Sequence, residues 1–81
     1  MTDAELKAAV LSALASVAPE VEDITLDPAQ DIRDQLEIDS MDFLNFMMAL
    51  NGALGIEVPE QDYGDVASLD GCVRYLARKL P

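Results

Sequence analysis

The longest helical pattern in the chain lies between two strong boundary signals, and it constrains the fold more than any other feature. Asp39 and Ser40 suit a helix N-terminus, because their short side-chain oxygens can accept hydrogen bonds from the first free backbone N–H groups. Gly55 suits a helix C-terminus, where a left-handed residue is common. We therefore predict a helix from about Ser40 to Leu54.

This predicted helix has two apolar faces. At about 100° per residue, the larger face collects five side chains, Phe43, Phe46, Met47, Leu50 and Leu54. Met41, Leu44 and Met48 form a second face, roughly 150° away by the same rotation. We assign the larger face to the core and the second face to partner contact, because so small a domain rarely covers the whole circumference of a helix. The alternative is that a small bundle buries both faces.

Two other helices and one brief helical segment are predicted. Thr2 and Glu5 form a capping box, and the apolar period after them predicts a first helix over residues 3–17, ended by Pro19. Ser68 caps the last helix, whose apolar stripe consists of Leu69, Cys72, Val73, Leu76 and Leu80. The segment 60–66 predicts a brief third helix, broken or bent at Gly64. The fold class is all-α: a small four-helix bundle with a long first connection, forming a single domain over residues 1–81.

The connection over residues 18–38 has no sustained helical period. We expect scattered apolar side chains to pin it onto the helices, namely Val21, Ile24, Leu26, Ile32, Leu36 and Ile38. A short helical turn between Pro28 and Leu36 is also expected. Nine acids lie between Glu20 and Asp42, opposed only by Arg33. No register of these acids satisfies the calcium-loop pattern, so no dedicated metal site is predicted.

Composition narrows the classes of function. The net charge of −11 disfavours nucleic acid and anionic membranes and favours a partner with a basic patch. No apolar run approaches a membrane span and no signal peptide is recognised, so we expect a cytoplasmic protein, and a monomer. The chain has no histidine, which removes the usual Ser-His-Asp and Cys-His arrangements and argues against an enzyme. Cys72 is expected to be a buried structural thiol, and Tyr63 and Tyr75 to pack at the edge of the core.

The stretch from Leu36 to Asp42 resembles the signature of the acyl carrier proteins. Asp39, Ser40 and Met41 open an apolar helix about halfway along a small acidic chain, and the resemblance extends over about residues 3–80. It implies that Ser40 carries a 4′-phosphopantetheine arm, whose thiol holds acyl groups as thioesters. The sequence departs from the family at Glu37, where a glycine is usual.

The resemblance also implies partners. These are a phosphopantetheinyl transferase and acyl-loading and acyl-processing enzymes, with basic or apolar docking patches. The partner-binding residues predicted on this basis are Asp39, Met41, Asp42, Leu44 and Met48. The family usually places several acids along this helix, but Asn45, Asn51 and Gly52 stand at the matching positions. This difference favours a specialised lipid or polyketide-type pathway over housekeeping fatty acid biosynthesis.

Three alternatives stay open at this stage. Ser40 on its own is compatible with a simple helix cap. A peptidyl carrier ranks second among the carrier types, because the chain lacks the Gly-Gly-His/Asp-Ser motif usual in that group. The alternative from another class is an acidic helical module that binds proteins without a prosthetic group.

Overall fold

Three helices, α1, α3 and α4, provide most of the core. The computed structural model describes residues 1–80, so Pro81, the last residue of the predicted domain, lies outside the described range. The elements in chain order are α1 (Asp3–Ala15), a first 3-10 helix (Pro19–Asp23), the short α2 (Ile32–Gln35), α3 (Ser40–Leu54), a second 3-10 helix (Glu60–Val66) and α4 (Leu69–Lys79). Helix α1 packs against both α3 and α4, and the second 3-10 helix packs against α4. These residues form helices and no strand, which confirms the all-α fold class.

The predicted start of α1 is confirmed, and its end differs by two residues. The Thr2 hydroxyl accepts a hydrogen bond from the Glu5 backbone N–H (3.1 Å), and the Glu5 carboxylate accepts one from the Thr2 N–H (2.9 Å). The helix stops at Ala15 and not at residue 17. Its last turn tightens because the backbone N–H of Ser16 donates to the Ala13 carbonyl (3.2 Å) and the Ser16 hydroxyl donates to the same oxygen (2.6 Å).

The long connection is more structured than its sequence indicated. Five of the six predicted apolar pins are buried: Val21, Leu26, Ile32, Leu36 and Ile38. The prediction for Ile24 is wrong, since this side chain is 44% exposed. Ile24 directly follows the first 3-10 helix in an extended conformation, and Val21 supplies that segment's buried side chain. Pro19, which is predicted to end the first helix, also begins this 3-10 helix, because its fixed φ suits a first helical turn.

Backbone hydrogen bonds attach the connection to the start of α4. The Ile32 N–H donates to the Ala67 carbonyl (2.8 Å), and the Asp70 N–H donates to the Pro28 carbonyl (2.9 Å). The predicted helical turn is confirmed as α2, which begins at Ile32. These contacts fix the path of the chain shortly before it enters α3.

The core of the described residues contains no buried charged side chain. Cys72 is fully buried, its thiol donates to the Val66 carbonyl at 3.2 Å, and burial raises its pKa to about 12. The prediction of a structural thiol is therefore confirmed. Tyr63 is half-buried, as expected of an edge residue, whereas the same prediction for Tyr75 is wrong because that residue is only 2% exposed.

The second 3-10 helix is held close to α4. The Tyr75 hydroxyl donates to the Asp62 carboxylate at 2.8 Å, and this bond is the main reason that the pKa of Tyr75 is raised. A Cβ atom at Gly71 would collide with the Asp65 carbonyl oxygen, so this close approach requires glycine. The 3-10 helix runs through Gly64 without interruption, so the predicted break at that residue is wrong.

Candidate functional site

Ser40 is the first residue of α3, and its side chain is exposed. The helix cap is Asp39: its carboxylate accepts from the Asp42 backbone N–H at 2.8 Å, and the Asp42 carboxylate accepts from the Asp39 N–H at 3.2 Å. This reciprocal pair of hydrogen bonds satisfies backbone N–H groups that the hydroxyl of a capping serine would otherwise accept from. The capping role of Asp39 therefore leaves the Ser40 hydroxyl available for another use.

The backbone around Ser40 is anchored on both sides. Ile38, two residues earlier, is 8% exposed, and Phe43, three residues later, is 5% exposed. The Phe43 ring lies 5.3 Å from the Tyr63 ring and 5.8 Å from the Phe46 ring, measured between centroids. Such aromatic contacts add to the free energy of burial. They connect the first turn of α3 to the second 3-10 helix and hold Ser40 at a defined place on the surface.

Glu37 causes no backbone strain before the site. Among residues 1–80, the positive φ angles belong to Gly55 alone, which ends α3 at φ 70°. The φ angle of Glu37 is therefore not positive, and its backbone occupies a conformation that any L-residue can adopt. The family that the sequence resembles usually has a glycine at this position, but the turn seen here does not need one.

One flank of Ser40 is strongly acidic. A surface groove of about 610 Å³ lies against the start of α3 and is lined by residues 33–39 and Asp42. Its charged lining consists of Arg33, Asp34, Glu37, Asp39 and Asp42. One cation faces four carboxylates, so this flank favours the approach of a basic surface.

The other flank is apolar, and the prediction that the larger face of α3 belongs to the core is confirmed. Of the larger face, Phe43, Phe46, Met47 and Leu50 are buried and Leu54 is half-buried. Met41, Leu44 and Met48 are exposed by 64%, 43% and 63% respectively, and together they form what we call the apolar stripe.

A groove of about 460 Å³ lies beside the apolar stripe. Leu44 and Met48 line it from α3, while Val58 and Tyr63 line it from the following loop and the second 3-10 helix. Glu57 is its one charged lining residue. No local pattern in the sequence predicts that Val58 and Tyr63 join the site, because they reach it only when the second 3-10 helix packs next to α3. The predicted partner-binding residues thus share one end and one side of α3: Asp39, Met41, Leu44 and Met48 are exposed, and Asp42 is half-buried.

Other parts of the described surface offer less chemistry. A groove of about 530 Å³ near α4 contains Asp3, Asp65, Arg74 and Arg78, and its one hydroxyl, that of Ser68, caps α4 by accepting from the Gly71 N–H at 3.0 Å. Over residues 1–80, no three side chains of the metal-ligating types converge to hold an ion. None of the helices described is long and apolar enough to cross a lipid bilayer.

Comparison with known proteins agrees with this geometry. Residues 8–76 match the family model described as phosphopantetheine attachment site. The chain is 29% identical over 56 residues to the acyl carrier protein of Rubrobacter xylanophilus, an alignment that covers 69% of each protein. No solved structure matches the chain. The family match covers both flanks of Ser40, all of α3 and most of α1 and α4.

Proposed function

Because the chain belongs to the acyl carrier protein family, we propose that it carries acyl groups on a 4′-phosphopantetheine arm attached to Ser40. The observation that supports this assignment most is that the helix cap and the exposed hydroxyl belong to two different residues at the start of α3. Asp39 caps the helix, and the neighbouring Ser40 is exposed and has no capping role. The predicted partner-binding residues surround it: Asp39 and Asp42 at the helix start, and the apolar stripe along one side.

The residues present fit such an arm. An exposed hydroxyl on a rigid first helical turn can enter the active site of another enzyme, and the acidic groove beside it leaves room for a basic partner surface. When bound, phosphopantetheine supplies a flexible thiol that holds an acyl group as a thioester. The protein itself supplies position and recognition.

The transfer step requires a second protein. The Ser40 oxygen would form a bond to the phosphorus that bears the pantetheine in coenzyme A, the diphosphate bond would break, and adenosine 3′,5′-bisphosphate would leave. The chain has no histidine to accept the hydroxyl proton. A phosphopantetheinyl transferase must therefore provide the base.

A specialised lipid or polyketide-type pathway is the role we favour. Asn45, Asn51 and Gly52 are all exposed on α3, where acids are usual in this family. Enzymes that recognise a charged helix would find a different surface here. Dedicated loading and processing enzymes fit this surface better than those of housekeeping fatty acid biosynthesis.

The experiment is intact-mass measurement after incubation with coenzyme A and a broad-specificity phosphopantetheinyl transferase. The wild-type chain should gain the mass of one phosphopantetheinyl group. Ser40→Ala should gain none and keep its helix content, because Asp39 still caps α3. Ser12→Ala, which removes an exposed hydroxyl from α1, is the matched control and should be modified normally.

Failure would have a clear meaning. If the wild-type chain stays unmodified under conditions that convert a known carrier, the protein is better described as an acidic helical module that binds proteins without a prosthetic group. If the arm is added, the group released by mild base from the protein of its native host separates the carrier types. A released fatty or polyketide acyl group supports our proposal, and an aminoacyl group supports a peptidyl carrier.

A further inference from the structure

Attachment of the arm adds negative charge where the surface is already acidic. The phosphodiester that joins phosphopantetheine to a serine is an anion at neutral pH. Asp39 precedes Ser40 and Asp42 follows it by two residues, while Asp34 and Glu37 line the adjacent groove. The positive end of the α3 dipole is already occupied by the Asp39 and Asp42 carboxylates, which form the capping pair. The added anion therefore meets repulsion that a cation in the groove would offset.

Arg33 is the base that lines this groove. The chain has five bases, all within the residues that the structure describes. The other four are placed elsewhere: they line grooves beside α4 or lie over the ring of Tyr75, namely Lys7, Arg74, Arg78 and Lys79. On this surface, Arg33 is therefore the counter-ion available to a group attached to Ser40.

The backbone that carries Arg33 is held in place, while its side chain is exposed. The Ile32 side chain is fully buried, and the Ile32 N–H donates to the Ala67 carbonyl at 2.8 Å. The Arg33 N–H donates to the Asp31 carboxylate at 2.8 Å, the bond that caps α2. A long side chain on such a backbone can contact an anion across the groove without any change in the fold. A guanidinium suits this contact, because its planar set of N–H donors matches the oxygens of a phosphate.

We propose that Arg33 binds the phosphodiester of the arm once the arm is attached to Ser40, and that it thereby offsets the repulsion from the four carboxylates of the groove. This proposal rests on the assignment of Ser40 as the attachment site. The competing interpretation is that Arg33 serves the chain alone, as an ion-pair partner of the acids around it. The two interpretations differ in one respect: binding of the phosphodiester makes the contribution of Arg33 change when the arm is added.

The first measurement is nuclear magnetic resonance of the wild type before and after a broad-specificity transferase has added the arm from coenzyme A. The side-chain Nε–H resonance of Arg33 should shift on attachment, because a charge-assisted hydrogen bond forms there. Arg74 is the internal control: it is equally classed as exposed but lies on α4, and its resonance should not move. Salt at about 1 M, where the Debye length is about 3 Å, should reverse much of the Arg33 shift.

Thermal unfolding of the unmodified and modified forms is the second measurement, made on the wild type, Arg33→Gln, Arg33→Lys and Arg74→Gln. The quantity compared is the change in Tm that attachment of the arm causes in each protein. This change should be more negative in Arg33→Gln than in the wild type by about 1–4 °C, as expected for one exposed ion pair in a small domain. Arg33→Lys keeps the charge and should restore most of the difference, whereas Arg74→Gln should behave as the wild type does.

The proposal is wrong if the Arg33 resonance stays unchanged on attachment, or if attachment changes Tm equally in the wild type and in Arg33→Gln. The resonance measurement needs the wild type alone, so it decides the question even where Arg33→Gln unfolds or is left unmodified by the transferase. A wild-type chain that gains no arm would instead overturn the assignment of Ser40.

Discussion

Leu50 and Leu44 lie on opposite faces of α3, so replacing each of them by alanine compares the stability contribution of the two faces. Leu50 is fully buried and Leu44 is 43% exposed. Replacing leucine by alanine removes three carbon groups, each worth about 0.8 kcal/mol when buried. At Leu50 the whole transfer free energy is lost and a cavity remains, so Leu50→Ala should lower the free energy of unfolding by about 2–5 kcal/mol.

The same calculation for Leu44 gives a smaller loss. Nearly half of its side chain is already in water, and solvent fills the space that the substitution opens. We expect Leu44→Ala to cost about 1 kcal/mol or less. For a domain of this size, 1 kcal/mol shifts Tm by about 4–8 °C. Leu50→Ala should therefore lower Tm by at least about 8 °C, and Leu44→Ala by no more than about 8 °C.

The assay is thermal unfolding followed by far-ultraviolet circular dichroism, with urea titration of both variants. A second pair repeats the comparison with larger contrast, since Phe46 is fully buried and Met48 is 63% exposed. Phe46→Ala should unfold the domain or nearly so, whereas Met48→Ala should melt close to the wild type. If Leu44→Ala destabilises the chain as much as Leu50→Ala, the apolar stripe belongs to the core and the partner surface lies elsewhere.

Three further results are expected. Added sodium chloride or millimolar magnesium should raise Tm by screening the acids of residues 20–42, and a flat response would show that their repulsion is negligible. In urea titrations, Gly55→Ala should lower the free energy of unfolding by about 1 kcal/mol, because Gly55 has a positive φ. Gly52→Ala should raise it by about 0.5–1 kcal/mol, because Gly52 lies within α3 and a Cβ atom there meets no other atom. Equal effects of the two substitutions would refute the left-handed cap. Burial raises the Cys72 pKa from 9.0 to about 12, so the unfolded chain loses this proton first. The free energy of unfolding should fall by about 1.4 kcal/mol per pH unit from about pH 9 towards 12, and Cys72→Ala should lack that part of the alkaline loss.

Local signals in the sequence predicted the boundaries of α3 and the place of Ser40. The Asp39 cap and the left-handed Gly55 act over a few residues through backbone hydrogen bonds, so their outcome depends little on the rest of the fold. Rotation of about 100° per residue separated the two faces of α3 before any packing was known. The family resemblance then supplied the expected chemistry of Ser40, which periodicity alone would have left as a cap.

Contacts between segments that are distant in the sequence decided which of the other apolar side chains are buried. Tyr75 is buried because the second 3-10 helix brings Asp62 within 2.8 Å of its hydroxyl, and nothing near Tyr75 in the sequence indicates this partner. Ile24 is exposed, although its apolar side chain predicts contact with the helices, because Val21 already supplies the core contact of that segment. Apolar character determines which side chains can be buried at low cost, but burial itself depends on which surface packs across from them. The sequence alone therefore determined the helix that presents Ser40, and the tertiary structure decided which neighbouring side chains line its two flanks.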